Sequence, residues 1–463
     1  MEERLLLSLY NVSENGSASE TEGASSGSLI EDTRDKSEAE TSDESPSVDI
    51  PLLICTTKPG EAEAPNTAKS IDKIQKKYLS LRKTSRLWRY NPVPKDEPYP
   101  TEEVIFSDER LRWGSVTAAR VRGKSHMYYG TNCDDWYETS ISDREGIFCA
   151  AVSDGAGSCK FSRIGARLIC EFAVDFLLRQ VKEKFEKCPD FREMLESDGA
   201  TLEKAKEYLT STMVYTALQA RNLLFTDAVW RKSRPEYSEL KDYKDLSATL
   251  MIVLLIPLRK DFVAVSFQVG DGVIALIDRK AESCSEAITV MGDLDRGDFA
   301  GETQFITSLS AQELYMWSDR VKIWRGCFDT MFIMSDGVSE DYMPFTPELC
   351  RLYLDMLANN IFPDELKQYE HCEQDENIKL PSPLIFPNIK RPEIRVSLNY
   401  TWQILNKSGL SLDDLWKHRE IILRVASQST TEGTSGKRLA QWLENYVEIS
   451  SSDDRTLVVV RRA

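Results

Sequence analysis

Histidine is nearly absent from this 463-residue chain, which has His126, His371 and His418 and no others. A Ser-His-Asp enzyme or a His-rich zinc site therefore has few candidates, and the chemistry is expected to run on carboxylates. The ten cysteines are scattered with no Cys-x-x-Cys pair, which argues against a zinc ribbon or a disulfide framework and fits reduced thiols. No apolar run reaches the length needed to span a bilayer, so no membrane partner is expected. Positive charge is in deficit, with 58 Lys+Arg against 75 Asp+Glu and a formal net charge of −17. No basic face for nucleic acid is legible. The first residues, Met-Glu-Glu-Arg, are acidic where a secretory leader is basic, so the expected location is cytoplasmic.

The charge is unevenly spread. Residues 1–64 carry 15 Asp+Glu and 4 Lys+Arg, a net −11 that leaves −6 (−17 + 11) for the remainder. Rich in Ser, Thr and Gly and nearly without aromatics, this segment cannot bury enough apolar surface to offset its ordering entropy and reads as a disordered acidic tail. Residues 65–109 read as a basic helical linker: eight Lys+Arg lie in 69–89, with Ile71, Ile74, Tyr78 and Leu81 at helical spacing. The globular domain is expected over 110–463, with an insertion near 366–430 marked by the Pro-rich "LPSPLIFPNIKRPE".

Ser-Asp-Gly occurs three times, at Asp154, Asp198 and Asp336. The first and third follow apolar runs of strand length, "GIFCAAV" and "TMFIM", whereas the second follows the polar helical stretch "DFREMLE". The second reads as a Gly-stopped helix end with Thr201 capping the next helix. The other two place a carboxylate at the rim of a sheet, beside a glycine that lets backbone approach a ligand. Around them the pattern alternates between strands and long helices. "RWGSVTAARVRG" is a strand, "KSHMYYGTNCDDWYETS" a polar loop, and residues 160–185 a helix with Ile164, Leu168, Phe172, Phe176 and Val181 on one face. A helix pair follows over about 191–230, then three strands in 247–278, further strands at "TQFITSL" and "DTMFIMS", helices at "ELCRLYLDML" and "LAQWLENYVE", and a closing strand "RTLVVVRR". Antiparallel strands grouped between helices point to an α+β layered fold.

In that order, the chain resembles the PPM family, the metal-dependent Ser/Thr phosphatases of type 2C, over about residues 113–463. It is most similar to the branch whose first motif reads G-x-x-H…G-x-x-C-x-D, matched by Gly123, His126, Gly130, Cys133 and Asp135. D-G-x-G corresponds to Asp154–Gly157, the G-T-T-L-like strand start to "SATL", G-D-S to the "GDG" containing Asp271, S-D-G-V to Asp336 and D-N-x-T to the "DDRT" beginning at Asp453. "GETQFIT" is similar to a further phrase of that branch.

The resemblance implies a PPM-type α-β-β-α sandwich, two antiparallel sheets flanked by helices, with two Mn²⁺ or Mg²⁺ ions at one rim and a third, weaker site. Asp135, Asp154, the Gly155 carbonyl, Asp336 and Asp453 would hold the pair and Asp271 the third ion, although Asp271 also fits a plain hairpin turn. Two hard cations suit phosphomonoester hydrolysis because they activate water and clamp phosphoryl oxygens, and they take oxygen ligands. Two family positions differ: Gly130 stands where an Arg usually clamps the phosphate, and Ala156 where many members carry a candidate general acid. Arg122 is the expected substitute clamp among Arg120, Arg122 and Lys124, and protonation of the leaving group falls to metal-bound water or to His126, for which a structural hydrogen-bonding role is the alternative. The expected function is a monomeric phosphoprotein phosphatase acting on a Ser/Thr kinase or its target. The alternative is a weakly catalytic regulatory domain that binds such a partner.

Overall fold

The computed structural model of the chain describes residues 89–295, 303–310, 313–363, 401, 411–419, 422–423, 433–445 and 452–462. The acidic segment 1–64, the basic stretch as far as residue 88 and most of 366–430 lie outside the described residues.

The principal elements are strands β1 (Val104–Leu111) and β2 (Gly114–Val121), helix α1 (Lys124–Tyr129), strands β3 (Trp136–Ser142) and β4 (Ile147–Ser153), and helices α2 (Ser162–Lys187), α3 (Phe191–Glu196) and α4 (Gly199–Lys232). Strands β5 (Leu250–Pro257), β6 (Phe262–Val269), β7 (Val273–Ile277), β8 (Ile288–Val290), β9 (Val321–Gly326) and β10 (Thr330–Met334) follow. Helices α5 (Phe345–Ala358) and α6 (Ser435–Glu444) precede the last strand, β11 (Arg455–Arg462). One sheet has the order β1-β2-β11-β10-β7-β8 and the other β3-β4-β5-β6-β9. Every pairing is antiparallel.

Strand β5 shows why the sheets stack. Its "LMIVLLIP" is apolar throughout, and side chains alternate between faces with a period of two. Met251, Val253 and Leu255 meet Phe148, Ile274, Ile333 and Val458 in the core between the sheets. Leu250, Ile252, Leu254 and Ile256 point the other way, into a second core shared with α2 and α4. A third core lies outside the other sheet, where α5 and α6 cover Ala119, Val121, Phe332, Leu457 and Val459. The result is four layers, α-β-β-α, in which the central strands β4, β5, β6, β7 and β10 are buried on both faces and the edge strands β1, β8 and β9 are partly exposed.

Several sequence expectations need correction. Strand β1 falls within the stretch assigned to a helical linker, and the "polar loop" after β2 contains α1 and β3. "TQFITSL" forms a 3₁₀ turn at Ile306–Ser308. Helix α4 starts at Gly199 with Asp198 at its N-cap, three residues before the expected Thr201 cap. The stripe of α2 is rotated: Ile164 and Val181 are buried as expected, but Ile169, Ala173 and Leu177 complete the buried face while Leu168 and Phe172 sit at its flank. Within the region read as an insertion, Leu415 and Trp416 are buried in the outer core.

Candidate active site

Five acids sit where strands end. Asp135 immediately precedes β3, Asp154 follows β4, Asp271 lies in the turn between β6 and β7, Asp336 follows β10 by two residues and Asp453 precedes β11 by two. Carboxylate oxygens of Asp154, Asp271 and Asp336 all lie within 4.8 Å of one another. Asp135 and Asp453 adjoin that group, since the charge of each helps to push the Asp154 and Asp336 carboxyls well above the ordinary range, after burial itself. Asp198 is exposed at the start of α4 and takes no part.

Asp135 is held by two hydroxyls that the sequence reading missed. Ser335 Oγ and Thr456 Oγ1 donate to its Oδ2 at 2.8 and 2.7 Å, and Ser335 Oγ in turn accepts from the Thr456 amide at 3.0 Å. Oδ1 is equally buried and accepts from no described residue. Burial and the charge of Asp454 lift the Asp135 carboxyl to about 7. An ionised oxygen buried without a donor is unfavourable unless a cation meets it. No Lys or Arg among the described residues forms an ion pair with Asp135, Asp154, Asp271, Asp336 or Asp453. The donor set is therefore hard oxygen, rich in charge and short of cations, which fits Mg²⁺ or Mn²⁺.

Gly155 follows Asp154 at this rim. The antiparallel bridge between its peptide and Ala248 is made by the flanking groups, Thr249 N–H to the Asp154 carbonyl at 2.8 Å and Ala156 N–H to the Ser247 carbonyl at 2.9 Å. The carbonyl of Gly155 itself stays outside that bridge. A Cβ at Gly155 would stand 2.8 Å from the Asp134 carbonyl and 2.9 Å from Ser162, so only glycine lets the first motif and α2 approach this closely.

The two adjacent acids of "SSDDRT" differ sharply. Asp454 is fully buried and accepts from the Gly123 amide through Oδ1 and from the Asp134 amide through Oδ2, both at 2.5 Å, while His126 Nδ1 lies 2.9 Å from Oδ2. Burial would raise its carboxyl, but His126 and the backbone donors hold it below the usual range. Asp453 keeps an elevated carboxyl, through burial and then the neighbouring Asp454 charge.

Two residues expected as catalytic candidates are engaged elsewhere in the fold. His126 Nδ1 also lies 2.7 Å from the Asn132 carbonyl. Burial alone would lower its imidazole, yet the Asp454 charge and hydrogen bond lift it to about 10, the value of a structural ion pair and a poor proton donor to a leaving group. Arg122 is fully buried, with Nη1 on Glu103 Oε1 at 2.7 Å and Nη2 on the carbonyls of Asn91 and His126 at 3.0 and 2.8 Å, so it clamps chain segments instead of phosphate. Arg120 is likewise spent on the carbonyls of Asp135 and Glu102 at 2.7 and 2.8 Å. Lys124 is drawn down to about 7 by burial and by Arg455.

A sequence model described as protein phosphatase 2C matches residues 122–369, more than half of the chain, and spans the first motif through Asp336. No curated protein matches the sequence. Among solved structures, RsbX in complex with magnesium aligns at 11% identity and a TM-score of 0.30, over 78% of this chain and 100% of that one. The serine/threonine phosphatase Stp1 from Staphylococcus aureus aligns at 12% and 0.30, over 81% and 98%, and PppA from Pseudomonas aeruginosa at 11% and 0.32, over 76% and 99%. Those scores are too low to add to the case, which rests on the family match and on the acids at the strand ends. By that match the chain belongs to the protein phosphatase 2C family, and it is a metal-dependent protein-serine/threonine phosphatase.

Proposed function

We propose that Asp135, Asp154, Asp336 and Asp453, with the Gly155 carbonyl, hold two Mn²⁺ or Mg²⁺ ions and that Asp271 contributes to a third site. The observation that carries this reading is the convergence of five carboxylates at one rim with no described cation paired to them. Bound there, such ions supply a water ionised near neutral pH and positive charge opposite the phosphoryl oxygens. The chain's own contribution is positional. Ser335 and Thr456 fix the rotation of Asp135, the missing side chain at Gly155 allows close approach, and Asp454 with His126 ties the first motif to the start of β11. With Ala156 apolar and His126 ion-paired, the proton for the departing seryl or threonyl oxygen is left to water. The substrate is a phosphorylated protein, a Ser/Thr kinase or one of its targets, and the chain acts as a cytoplasmic monomer. No described helix is long and apolar enough to cross a membrane.

Phosphate release from phosphoserine and phosphothreonine peptides, with Mn²⁺, with Mg²⁺ and with chelator, tests the proposal. Turnover should require the cation, and Asp154→Asn should lower it at least about a hundredfold, more than loss of an outer partner costs. Asp198→Asn should leave it unchanged. Turnover undiminished by chelator, or an Asp154→Asn enzyme near wild-type rate, would refute the metal reading.

A further inference from the structure

The phrase "GETQFIT" is not used by the chemistry above, yet its described end lies against the acids. Thr303 Oγ1 donates to Asp271 Oδ2 at 2.7 Å. Next to it, Gln304 Oε1 accepts from Arg320 Nη2 at 2.8 Å, and Arg320 also pairs with Asp295, whose backbone N–H and Oδ2 meet the carbonyl and N–H of Gly270 at 3.1 Å each. Two residues on, the Ile306 amide donates to the Ala248 carbonyl at 3.0 Å, and Thr307 Oγ1 lies 2.6 Å from Ser247 Oγ. Ser247 and Thr249 are the residues that bond the backbone around Asp154 and Gly155. Residues 303–307 therefore form a strap between the Asp271 hairpin and the strand end that carries Asp154.

We infer that Thr303 is a positioning residue, whose hydroxyl fixes the rotation of the Asp271 carboxylate so that this acid, brought within 4.8 Å of Asp154 and Asp336, serves as a ligand to the weakest-bound cation. A turn aspartate with no such restraint is free to swing to solvent, whereas one oxygen held by a hydroxyl leaves the other fixed toward the rim. The strap supplies the restraint because it is bonded at both ends. This inference rests on the proposed metal reading.

The test is Mn²⁺ binding to the metal-free full chain, followed by calorimetry and by the electron paramagnetic resonance of unbound Mn²⁺. Thr303→Val keeps shape and removes the donor; it should weaken the last Mn²⁺ step about tenfold and leave the tighter steps unchanged. Thr303→Ser restores the hydroxyl and should bind like wild type. Asp271→Asn should lose the same step, and Thr303→Val added to it should change nothing more, because the threonine acts only through that carboxylate. A Thr303→Val isotherm identical to wild type overturns the inference. So does a serine variant as weak as the valine variant, or a double variant weaker than Asp271→Asn alone. A wild-type chain that binds no Mn²⁺ overturns the metal reading together with it.

Discussion

Asp453 and Asp454 are neighbours in different surroundings, and the proposed difference in role follows from what Asp454 touches. Asp454 satisfies two buried backbone amides and pairs with the half-buried His126, so Asp454→Ala leaves both amides without this acceptor and the imidazole without its counter-charge. That change should cost about 3–5 kcal/mol of unfolding free energy, the usual penalty for breaking a buried pair. Asp453→Ala removes a repelled carboxylate, so the metal-free protein should be at least as stable as wild type while the Mn²⁺ requirement for turnover rises about tenfold or more. Urea unfolding beside a Mn²⁺ titration separates the two, and the reverse assignment would mean that the final motif is shifted by one residue. At this scale Asp154 and Asp336 were legible because each ends an apolar run, whereas Asp135, Asp271 and Asp453 were reached only through the resemblance of their motifs to the family. The roles of Arg122 and His126 stayed open in the sequence because a guanidinium or an imidazole near an acidic motif reads the same whether it faces a ligand or the backbone. The identity of their partners, Glu103, Asn91, Asn132 and Asp454, is set by the fold and spans up to about 330 residues of sequence.

Among the elements, strands buried on both faces were the most legible, since an unbroken apolar run such as that of β5 has no other stable use here. Strand β1 was missed because "VIFSDERL" carries acids. Asp108 accepts from Thr117 and from the Gly436 amide, and Glu109 accepts from Thr139, so polar side chains substitute for apolar ones in a strand whose partners the sequence does not reveal. "TQFITSL" failed in the opposite sense: it alternates like a strand, but the Ile306 amide is taken by Ala248 and the chain turns tightly. Helix α2 yields a prediction of its own. Gly165 lies inside it, where alanine would ordinarily stabilise a helix by about 0.5–1 kcal/mol. A Cβ there would fall 1.9 Å from the Leu246 carbonyl oxygen, a rigid backbone atom in the turn leading to Ser247 and Ala248. Overpacking should win, and Gly165→Ala should destabilise by about 1–3 kcal/mol in urea unfolding. A gain in stability would show that the helix can shift away from this turn without loss.

For the whole molecule, the fold brings like charges from both sheets to one rim, and this concentration makes stability depend jointly on pH and cation. In the metal-free chain, burial and the charge of Asp454 raise Asp135 to about 7 and Asp134 to about 8, and Asp154, Asp336 and Asp453 are raised as well. The groups facing Asp134 include His126 and Arg163, which lower it, but burial and Asp454 outweigh them. In the unfolded chain these carboxyls ionise near their ordinary value, about 4. Between that value and about 7 or 8 the folded state therefore holds protons that the unfolded state has released, so stability is fully present below about pH 4 and falls as pH rises. Each group still protonated in the folded state removes about 1.4 kcal/mol per pH unit over its window. His126, raised to about 10, adds a loss of the same sign above its ordinary 6.5, and the depressed Asp454 is already ionised in both states above about pH 5. A divalent cation replaces those protons and cancels the repulsion, so its binding should release protons and flatten the dependence. Urea midpoints measured from pH 5 to 8 should decline steadily in chelator and change little in saturating Mn²⁺, with the gap between the two curves widest at pH 8. Parallel curves would mean that the five acids do not share a cation, and the charge at the rim would then require a different partner.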